Sequence, residues 1–413
     1  MKTKPVAVLL VAVALFLLPL LLSSPPADAP PADAYFSAEQ LARMEAYHAV
    51  RTPLSLGAWI LGLVVTLLIA VGPTGRALGS WASRICRGRW LRTAVLLASV
   101  ASLVPAMAVL PLTVLRHRHD RAYGLATDDT LSALRDVAVA SLVALGLAVV
   151  AAVGFMAMVR LAPRRWPVVV GASGSVMLVV LVLLFPVVYE PLFNDFAEVG
   201  EPTRSRISAL ADEAGVPVDQ VLVADASRRT TRNNAYVSGI GSTRRVVLFD
   251  TLLEGAPEQE VDLVVAHELA HVRNDDVRNG TLLGVIGIIG GVMALAILLR
   301  SRAVLDATGA SGPHDPRIVP AIFAFVALAG VVTLPVQNAV SRRAEAQADR
   351  FAIQLTNDAE TQIQLEKRLA LTNLSKPSPP RLLHLIFGTH PTTMERIGIA
   401  LEAARSVPAD PRS

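Results

Sequence analysis

The residues with the clearest chemical potential lie in one short stretch, His267-Glu268-Leu269-Ala270-His271, which has the form H-E-x-x-H. A spacing of four puts both imidazoles on one helix face, where two nitrogens can reach a single Zn²⁺ at about 2.0–2.1 Å. Glu268 lies beside that face, where it can take a proton from a zinc-bound water whose pKa the metal lowers to about 7. Residue frequencies predict only about 0.01 chance matches in a chain of this length. The motif therefore predicts a catalytic metal site.

A catalytic zinc site needs a third protein ligand and one open position for water. The candidate stretch runs from Ser341 to Asp349 and has a helical pattern. Glu345 and Asp349 share a face, so Glu345 can bind the zinc while Asp349 fixes a ligand histidine. From spacing alone, a solvated charged face is an equal alternative. Cys86 is the only cysteine, so the metal must rest on histidines and carboxylates.

The composition places these residues in a membrane protein. The 413 residues are 53% hydrophobic and 17% charged, with a mean hydropathy of +0.50, whereas soluble domains carry about 25% charged residues. A water-soluble single domain is therefore excluded. The 38 basic residues barely exceed the 34 acidic ones, so the net charge of +4 gives no sign of a nucleic-acid surface.

Seven uncharged apolar runs approach the length of about 20 residues that a helix needs to cross a bilayer core. They are Pro5 to Ser23, Leu54 to Gly72, Thr93 to Leu115, Val137 to Val159, Pro167 to Tyr189, Thr281 to Leu299 and Ile318 to Gln337. The first run is either an uncleaved anchor or a secretory signal, because small-residue cleavage sites follow at Ala27-Asp28-Ala29 and Ala32-Asp33-Ala34. For the last two runs, a buried helix of a soluble domain is the alternative.

The basic residues in the short loops predict the orientation of these spans. One side collects 13 Lys and Arg residues, at positions 2–4, 76–92, 160–165 and 300–317, and the short loops of the other side hold six. The side with 13 is predicted to be cytoplasmic. Both large polar segments, residues 190 to 280 and 338 to 413, then lie on the extracytoplasmic face.

The first polar segment has the elements needed to frame a site. Residues 201 to 216 read as a helix that Gly215 ends. Three β-rich runs follow, with a hairpin signal at Gly241-Ser242-Thr243: Gln220 to Ala226, Asn234 to Ile240 and Arg244 to Phe249. Pro257, followed by acidic residues, opens a helix predicted to run to about Arg273, and this helix carries the H-E-x-x-H motif.

The chain resembles the type I CAAX prenyl endopeptidase family of integral-membrane zinc metalloproteases over nearly its whole length. In the membrane region the resemblance is carried by Leu110-Pro111-Leu112, Tyr123-Gly124-Leu125-Ala126-Thr127 and Glu190-Pro191-Leu192-Phe193-Asn194. In the peptidase region it is carried by the H-E-x-x-H and by Asp225-Ala226-Ser227-Arg228-Arg229, Asn233-Asn234-Ala235-Tyr236, Val246 to Leu252, Glu345 to Asp349, Thr389-His390-Pro391 and Arg396. So many motifs in the same order make the resemblance specific.

The resemblance implies one zinc ion per chain, bound by His267, His271 and Glu345, with Glu268 as general base and Asp349 as a supporting acid. It also implies a set of substrate-binding residues. These are Asn234 and Ala235 on a strand edge that holds an extended backbone, and His390 and Arg396, which steady the tetrahedral intermediate.

The expected fold is a mainly α, multi-pass membrane protein, with seven transmembrane helices and a small α+β zincin-like metallopeptidase domain. The expected division has five parts. These are an anchor or signal segment (1–34), a membrane domain with spans two to five (35–190), the first part of the peptidase domain (191–280), spans six and seven (281–337) and the second part of the peptidase domain (338–413).

The expected function is hydrolysis of peptide bonds in membrane-associated peptides or proteins by a Glu-activated, zinc-bound water. The expected partners are such a substrate and the lipid bilayer of the cell membrane, and no nucleic acid. A membrane-protein quality-control protease and a non-catalytic zinc-binding scaffold are the alternatives. The chain departs from the family pattern at Ala270, where relatives often have Gly, and after His271, where no further histidine follows. The extracytoplasmic orientation also differs from eukaryotic relatives, which work on the cytosolic side.

Overall fold

The computed structural model describes residues 9, 11–17, 19, 25–238 and 244–406. The first predicted span, Pro5 to Ser23, lies largely outside these residues, and so does the predicted hairpin turn Gly241-Ser242-Thr243. The described chain is mainly helical and contains one small sheet. Its helices, in order, are α1 (Ala38–Ala70), α2 (Gly72–Ile85), α3 (Trp90–Ala122), α4 (Thr130–Leu161), α5 (Trp166–Leu184), α6 (Thr203–Glu213), α7 (Asp250–Gly255), α8 (Glu258–Arg273), α9 (Asp276–Leu298), α10 (Arg302–Thr308), α11 (Val319–Thr356), α12 (Ala359–Thr372), α13 (Arg381–Phe387) and α14 (Thr393–Ser406).

Six of these helices, α1, α3, α4, α5, α9 and α11, are long and apolar enough to cross a membrane. Each covers one of the six later runs predicted from the sequence to within two residues at either end, with α5 continued through a π-helical turn at Phe185–Tyr189. Large apolar side chains such as Leu142, Val168 and Ile286 point outward and are exposed. In a bilayer this surface faces lipid, because a helix whose backbone is internally bonded can present apolar side chains to hydrocarbon.

The spans pack on a core that includes Leu97, Met156 and Leu299. Helices α5 and α9 pack closely at Gly284, where an added Cβ would lie 2.7 Å from Leu178 Cδ2 and the leucine side chain would have to move. Small residues at helix contacts are the usual way in which membrane helices come close together.

The sheet has four strands in the order β1-β2-β4-β3. They are β1 (Phe196–Glu198), β2 (Gln220–Ala224), β3 (Ala235–Ser238) and β4 (Arg245–Phe249). β2 and β4 run parallel, with Val221 opposite Val246, and the outer strands are antiparallel to their neighbours. Three of the four strands match the β-rich runs of the sequence, and β1 was not predicted. Among the described residues, β3 has a strand on one side only.

Helix α11 joins the membrane region to the second polar segment without a break. It begins in an apolar run, passes the predicted boundary between residues 337 and 338, and ends at Thr356. The segment before α1 also belongs to this part of the fold, because Phe36 is buried among residues of α12 and α14. Arg350 of α11 donates to the carbonyl oxygen of Pro26 at 2.7 Å. The division into five parts stays a prediction.

Candidate metal centre

Helix α8 positions the H-E-x-x-H motif. Pro257 is its N-cap, so the helix begins at Glu258, one residue later than predicted. Acidic residues fill its first turn, where they interact favourably with the helix dipole. Val265 and Leu269 pack into the core shared with the sheet. The helical period places His267 and His271 on a different face, which meets α11.

Three ligand side chains converge between α8 and α11. The Nε2 atoms of His267 and His271 are 3.2 Å apart. Glu345 Oε2 lies 3.1 Å from Nε2 of His267, and Glu345 Oε1 lies 3.7 Å from Nε2 of His271. Ligand atoms around a tetrahedral zinc at about 2.0–2.1 Å are about 3.3 Å apart. The donor set and its spacing therefore fit a zinc ion.

A carboxylate holds the outer nitrogen of each histidine. Asp349 Oδ1 lies 2.9 Å from Nδ1 of His267, and Asp276 Oδ2 lies 2.8 Å from Nδ1 of His271. When Nδ1–H donates to a carboxylate, Nε2 carries the free lone pair, and this arrangement is usual behind metal-binding histidines. Two lone pairs that face each other at 3.2 Å are stable together when a cation lies between them.

Asp276 was not among the residues singled out from the sequence. Helix α8 ends at Arg273, and Asp275 takes a left-handed conformation with φ 56°. That turn folds the first residue of α9 back toward His271. The available signal was an acidic residue just beyond the end of the motif helix, but nothing in the pattern distinguishes Asp276 from its neighbour Asp275.

Glu268 lies within the same cluster, where ligand atoms of His267, Glu268 and His271 are all within 4.8 Å of one another. Burial raises the pKa of Glu268, and the two histidines oppose that shift. A carboxylate with a raised pKa is better matched to proton transfer near neutral pH than an exposed one.

Without metal, the carboxylates around His267 favour the protonated form of its ring. Burial lowers the pKa of His267, but its hydrogen bonds to Asp349 and Glu345 outweigh burial and raise the pKa to about 10. Coordination requires the neutral ring, so a bound cation takes the place of that proton.

Arg396 of α14 lies behind Asp349. Its Nε and one terminal nitrogen donate to the two Asp349 oxygens at 2.9 and 2.5 Å, and its other terminal nitrogen pairs with Glu366 of α12 at 2.9 Å. Burial lowers the pKa of Arg396, but the two carboxylates outweigh burial and raise it. Every guanidinium nitrogen therefore has a carboxylate partner. Arg396 therefore holds Asp349 in place, and its role in steadying the tetrahedral intermediate stays a prediction.

His390 approaches the site from the loop between α13 and α14. Its Nε2 lies 3.3 Å from Glu345 Oε2, and the side chain is 55% exposed. Nδ1 of the ring is 2.8 Å from the Thr389 hydroxyl. An imidazole that is both next to the ligand set and open to solvent can donate a hydrogen bond to a bound substrate.

Strand β3 runs along α8, with Ala235 packed in the shared core. The Asn234 carbonyl accepts a hydrogen bond from the Phe249 amide at 3.1 Å, which ties Asn234 to β4. A cavity of about 680 Å³ lies beside Asn234 and Tyr236, and aromatic residues such as Tyr189 line it. The described part of the sheet thus leaves a strand edge beside the motif helix, and the cavity lies between β3, α4 and the π-helical turn that follows α5.

Two family models match consecutive parts of the chain. Residues 22–195 match the CAAX prenyl protease N-terminal model of five membrane helices, and residues 201–404 match peptidase family M48. An uncharacterized metalloprotease, YhfN, of Bacillus subtilis (strain 168) is 28% identical over 367 residues, which cover 88% of this chain and 86% of that protein. CAAX prenyl protease 1 of Saccharomyces cerevisiae is 30% identical over 244 residues. That alignment covers 54% of this chain and about half, 52%, of the yeast protein.

The fold has a solved counterpart. The crystal structure of S. mikatae Ste24p superposes with a TM-score of 0.78 at 20% identity, covering 96% of this chain and 99% of that one. The fold, the site and these matches define a multi-pass membrane metalloendopeptidase. The chain belongs to peptidase family M48, as a CAAX protease-like member.

Proposed function

We propose that the chain is a zinc-dependent endopeptidase that hydrolyses peptide bonds of membrane-associated peptides or proteins. The observation that carries the proposal is the convergence of His267, His271 and Glu345, with a carboxylate behind each histidine and Glu268 alongside. One zinc ion per chain is proposed to bind these three residues. When bound, zinc polarises a substrate carbonyl and lowers the pKa of water to about 7.

The protein side chains supply the remaining chemistry. Glu268 accepts a proton from the water that adds to the carbonyl carbon, and then delivers it to the amine nitrogen as the C–N bond breaks. His390 donates a hydrogen bond to the carbonyl oxygen as negative charge develops on it. Asp349, held by Arg396, keeps His267 in the orientation that exposes Nε2.

The free edge of β3 is proposed to hold the substrate as an extended strand. An unpaired strand edge presents backbone donors and acceptors that can bind a peptide in any sequence context. Asn234 and Ala235 lie at this edge, and the core packing of Ala235 on α8 keeps the edge close to the motif. An extended peptide bound there runs past the metal ligands.

The test of this mechanism is the Glu268→Gln variant, with Glu254→Gln as the control because Glu254 is exposed on α7. Purified proteins in detergent are assayed for zinc by mass spectrometry and for cleavage of casein and a quenched-fluorescence peptide. Glu268→Gln is expected to hold one zinc per chain and lose several orders of magnitude in rate, while the control matches the wild type. Retained hydrolysis by Glu268→Gln would remove this glutamate from the mechanism. A wild-type protein that bound zinc and cleaved nothing would support the scaffold alternative.

The side of the cell membrane on which the site lies is a separate proposal. The distribution of Lys and Arg in the short loops supports an extracytoplasmic site. A tag after Ser413 should be cut by protease added to intact cells, whereas a tag after Gly88, in the loop between α2 and α3, should be protected. The reverse pattern would place the site in the cytoplasm.

The same Glu268→Gln protein, used to capture uncleaved partners, identifies the substrate.

A further inference from the structure

The short helix α13 lies between the metal site and a membrane span. It is largely apolar, and Leu382 is 62% exposed. The Phe387 ring packs edge-on against Trp59 of α1, with centroids 5.5 Å apart. Three residues after Phe387 the chain reaches His390, so the position of α13 determines where His390 can reach.

A helix of seven residues leaves most of its carbonyl oxygens without a helical partner. In an apolar environment such orphan groups are costly unless a side chain satisfies them. Two residues of α11 do so. Arg342 donates to the Gly388 carbonyl at 2.6 Å and to those of His384 and Leu385 at 3.3 and 3.4 Å, and Asn338 donates to the Ile386 carbonyl at 2.5 Å.

Arg342 is unusual because the residue is only 9% exposed and its guanidinium, among the described residues, bonds to carbonyl oxygens and to no carboxylate. The Glu395 carboxylate attracts Arg342 without forming an ion pair among the described residues, and burial of a cation that has no carboxylate in contact is unfavourable for stability. Arginine near a helix C-terminus also binds the last carbonyls in a fixed geometry, since its donors form a rigid fork. The arrangement therefore suits a role in positioning.

Arg342 links two parts of the metal site. It precedes Glu345 by one turn of α11, and the carbonyl that it binds most closely, that of Gly388, precedes His390 by two residues. The turn at Gly388 is tight, because an added Cβ would lie 2.7 Å from the His384 carbonyl oxygen. The His390 ring then lies 3.3 Å from Glu345.

We propose that Arg342 is a positioning residue that caps α13 and thereby holds His390 where it can donate to the developing oxyanion. The inference rests on the proposed function, in which His390 has that role. It assigns to Arg342 no contact with substrate or metal.

The test is a double-mutant cycle of Arg342→Met and His390→Ala, with Arg343→Met as the control because Arg343 is the exposed neighbour on the same helix. Loss of one oxyanion donor lowers kcat by about 10²-fold to 10³-fold, which is expected for His390→Ala. A displaced His390 is expected to lower kcat by about 10-fold to 100-fold in Arg342→Met, with KM and zinc content unchanged. The double variant should be no slower than His390→Ala, and Arg343→Met should match the wild type.

Binding gives a second readout that does not depend on turnover. A phosphinic peptide that mimics the tetrahedral intermediate should bind more weakly to Arg342→Met and to His390→Ala, whereas a product peptide should bind all variants alike. If Arg342→Met fails to fold or to hold zinc, Arg342→Lys, which keeps the charge but loses the rigid fork of donors, takes its place in the cycle.

The positioning role would be overturned if the two reductions in kcat multiplied in the double variant. It would also be overturned if Arg342→Met had the wild-type kcat. If His390→Ala keeps wild-type activity while Glu268→Gln is inactive, this inference fails and the zinc endopeptidase proposal stands. If Glu268→Gln is active, the proposed function itself fails.

Discussion

The carboxylate behind His271 offers the sharpest test of the metal centre. In Asp276→Asn the side chain keeps its shape and an oxygen that can accept from Nδ1, but it loses its negative charge. The carboxylate normally raises the basicity of the histidine and fixes its tautomer. The variant should therefore bind zinc more weakly without disturbing the fold.

The expected size of the effect follows from the exposure of the pair. Loss of such a partner typically costs about 10-fold to 100-fold in metal affinity. Asp276 and His271 are 25% and 22% exposed, so solvent screens their interaction in part. The loss should lie near the lower end, at about 10-fold, or about 1.4 kcal/mol of binding free energy. Asp349 is fully buried behind His267, and its replacement should cost more.

Zinc affinity is measured by competition with a chromogenic chelator on purified protein, and the thermal midpoint of the metal-free protein is recorded alongside. Asp275→Asn is the matched control. Asp275 is half exposed, its ion pair among the described residues is with the exposed Arg278, and its left-handed conformation is one that Asn tolerates. The control should bind zinc as the wild type does. Equal affinities for Asp276→Asn and the wild type would refute the reasoning that Asp276 supports a metal ligand.

Three further outcomes are expected. Arg396→Met leaves the buried Asp349 and Glu366 without their shared cation. The free energy of unfolding of the metal-free protein should therefore fall by about 3–5 kcal/mol, seen as a lower thermal midpoint in detergent. An unchanged midpoint would contradict this. Phe36→Ala should lower the free energy of unfolding by about 3–5 kcal/mol in the same measurement, because Phe36 is 3% exposed in the core beside α14. An unchanged thermal midpoint would mean that the segment before α1 adds nothing to the stability of the fold. Removal of zinc by a chelator should abolish cleavage and lower the thermal midpoint, and added zinc should restore both, since a ligand that binds only the folded state stabilises it; cleavage that persists without metal would exclude a metal-dependent reaction.

The parts of the site that could be predicted from the sequence are those set by local spacing. His267 and His271 are one turn apart, so their shared face follows from the helical period alone. Glu345 lies 78 residues away from His267, beyond two membrane spans, and spacing left a solvated face equally possible. Only the family resemblance singled it out. The position of Asp276 beside His271 depends on the left-handed backbone conformation of Asp275, and side-chain patterns carry little information about such a turn.

The fold, like the site, has parts that could be predicted from the sequence and parts that could not. Uncharged runs predicted the later spans, because few compositions other than a bilayer helix give about 20 apolar residues in a row. Helix α1 begins at Ala38, well before the apolar run at Leu54, because Ser37 and Gln40 form a capping box that starts the helix in polar sequence. β1 was missed because three residues are too few to show a strand alternation, and it forms only by pairing with β2.

The continuity of α11 supports the proposed preference for membrane-associated substrates. Its uncharged run ends at Gln337, and a rise of about 1.5 Å per residue puts Glu345 about 12 Å further along the axis. The described helix is continuous from Gln337 to Glu345, so Glu345 stays at that distance from the end of the uncharged run. An extended peptide covers about 12 Å in about four residues. A scissile bond about that far from a membrane-anchored residue can therefore reach the metal ligands, whereas a bond deep in a soluble domain must first be brought to the bilayer.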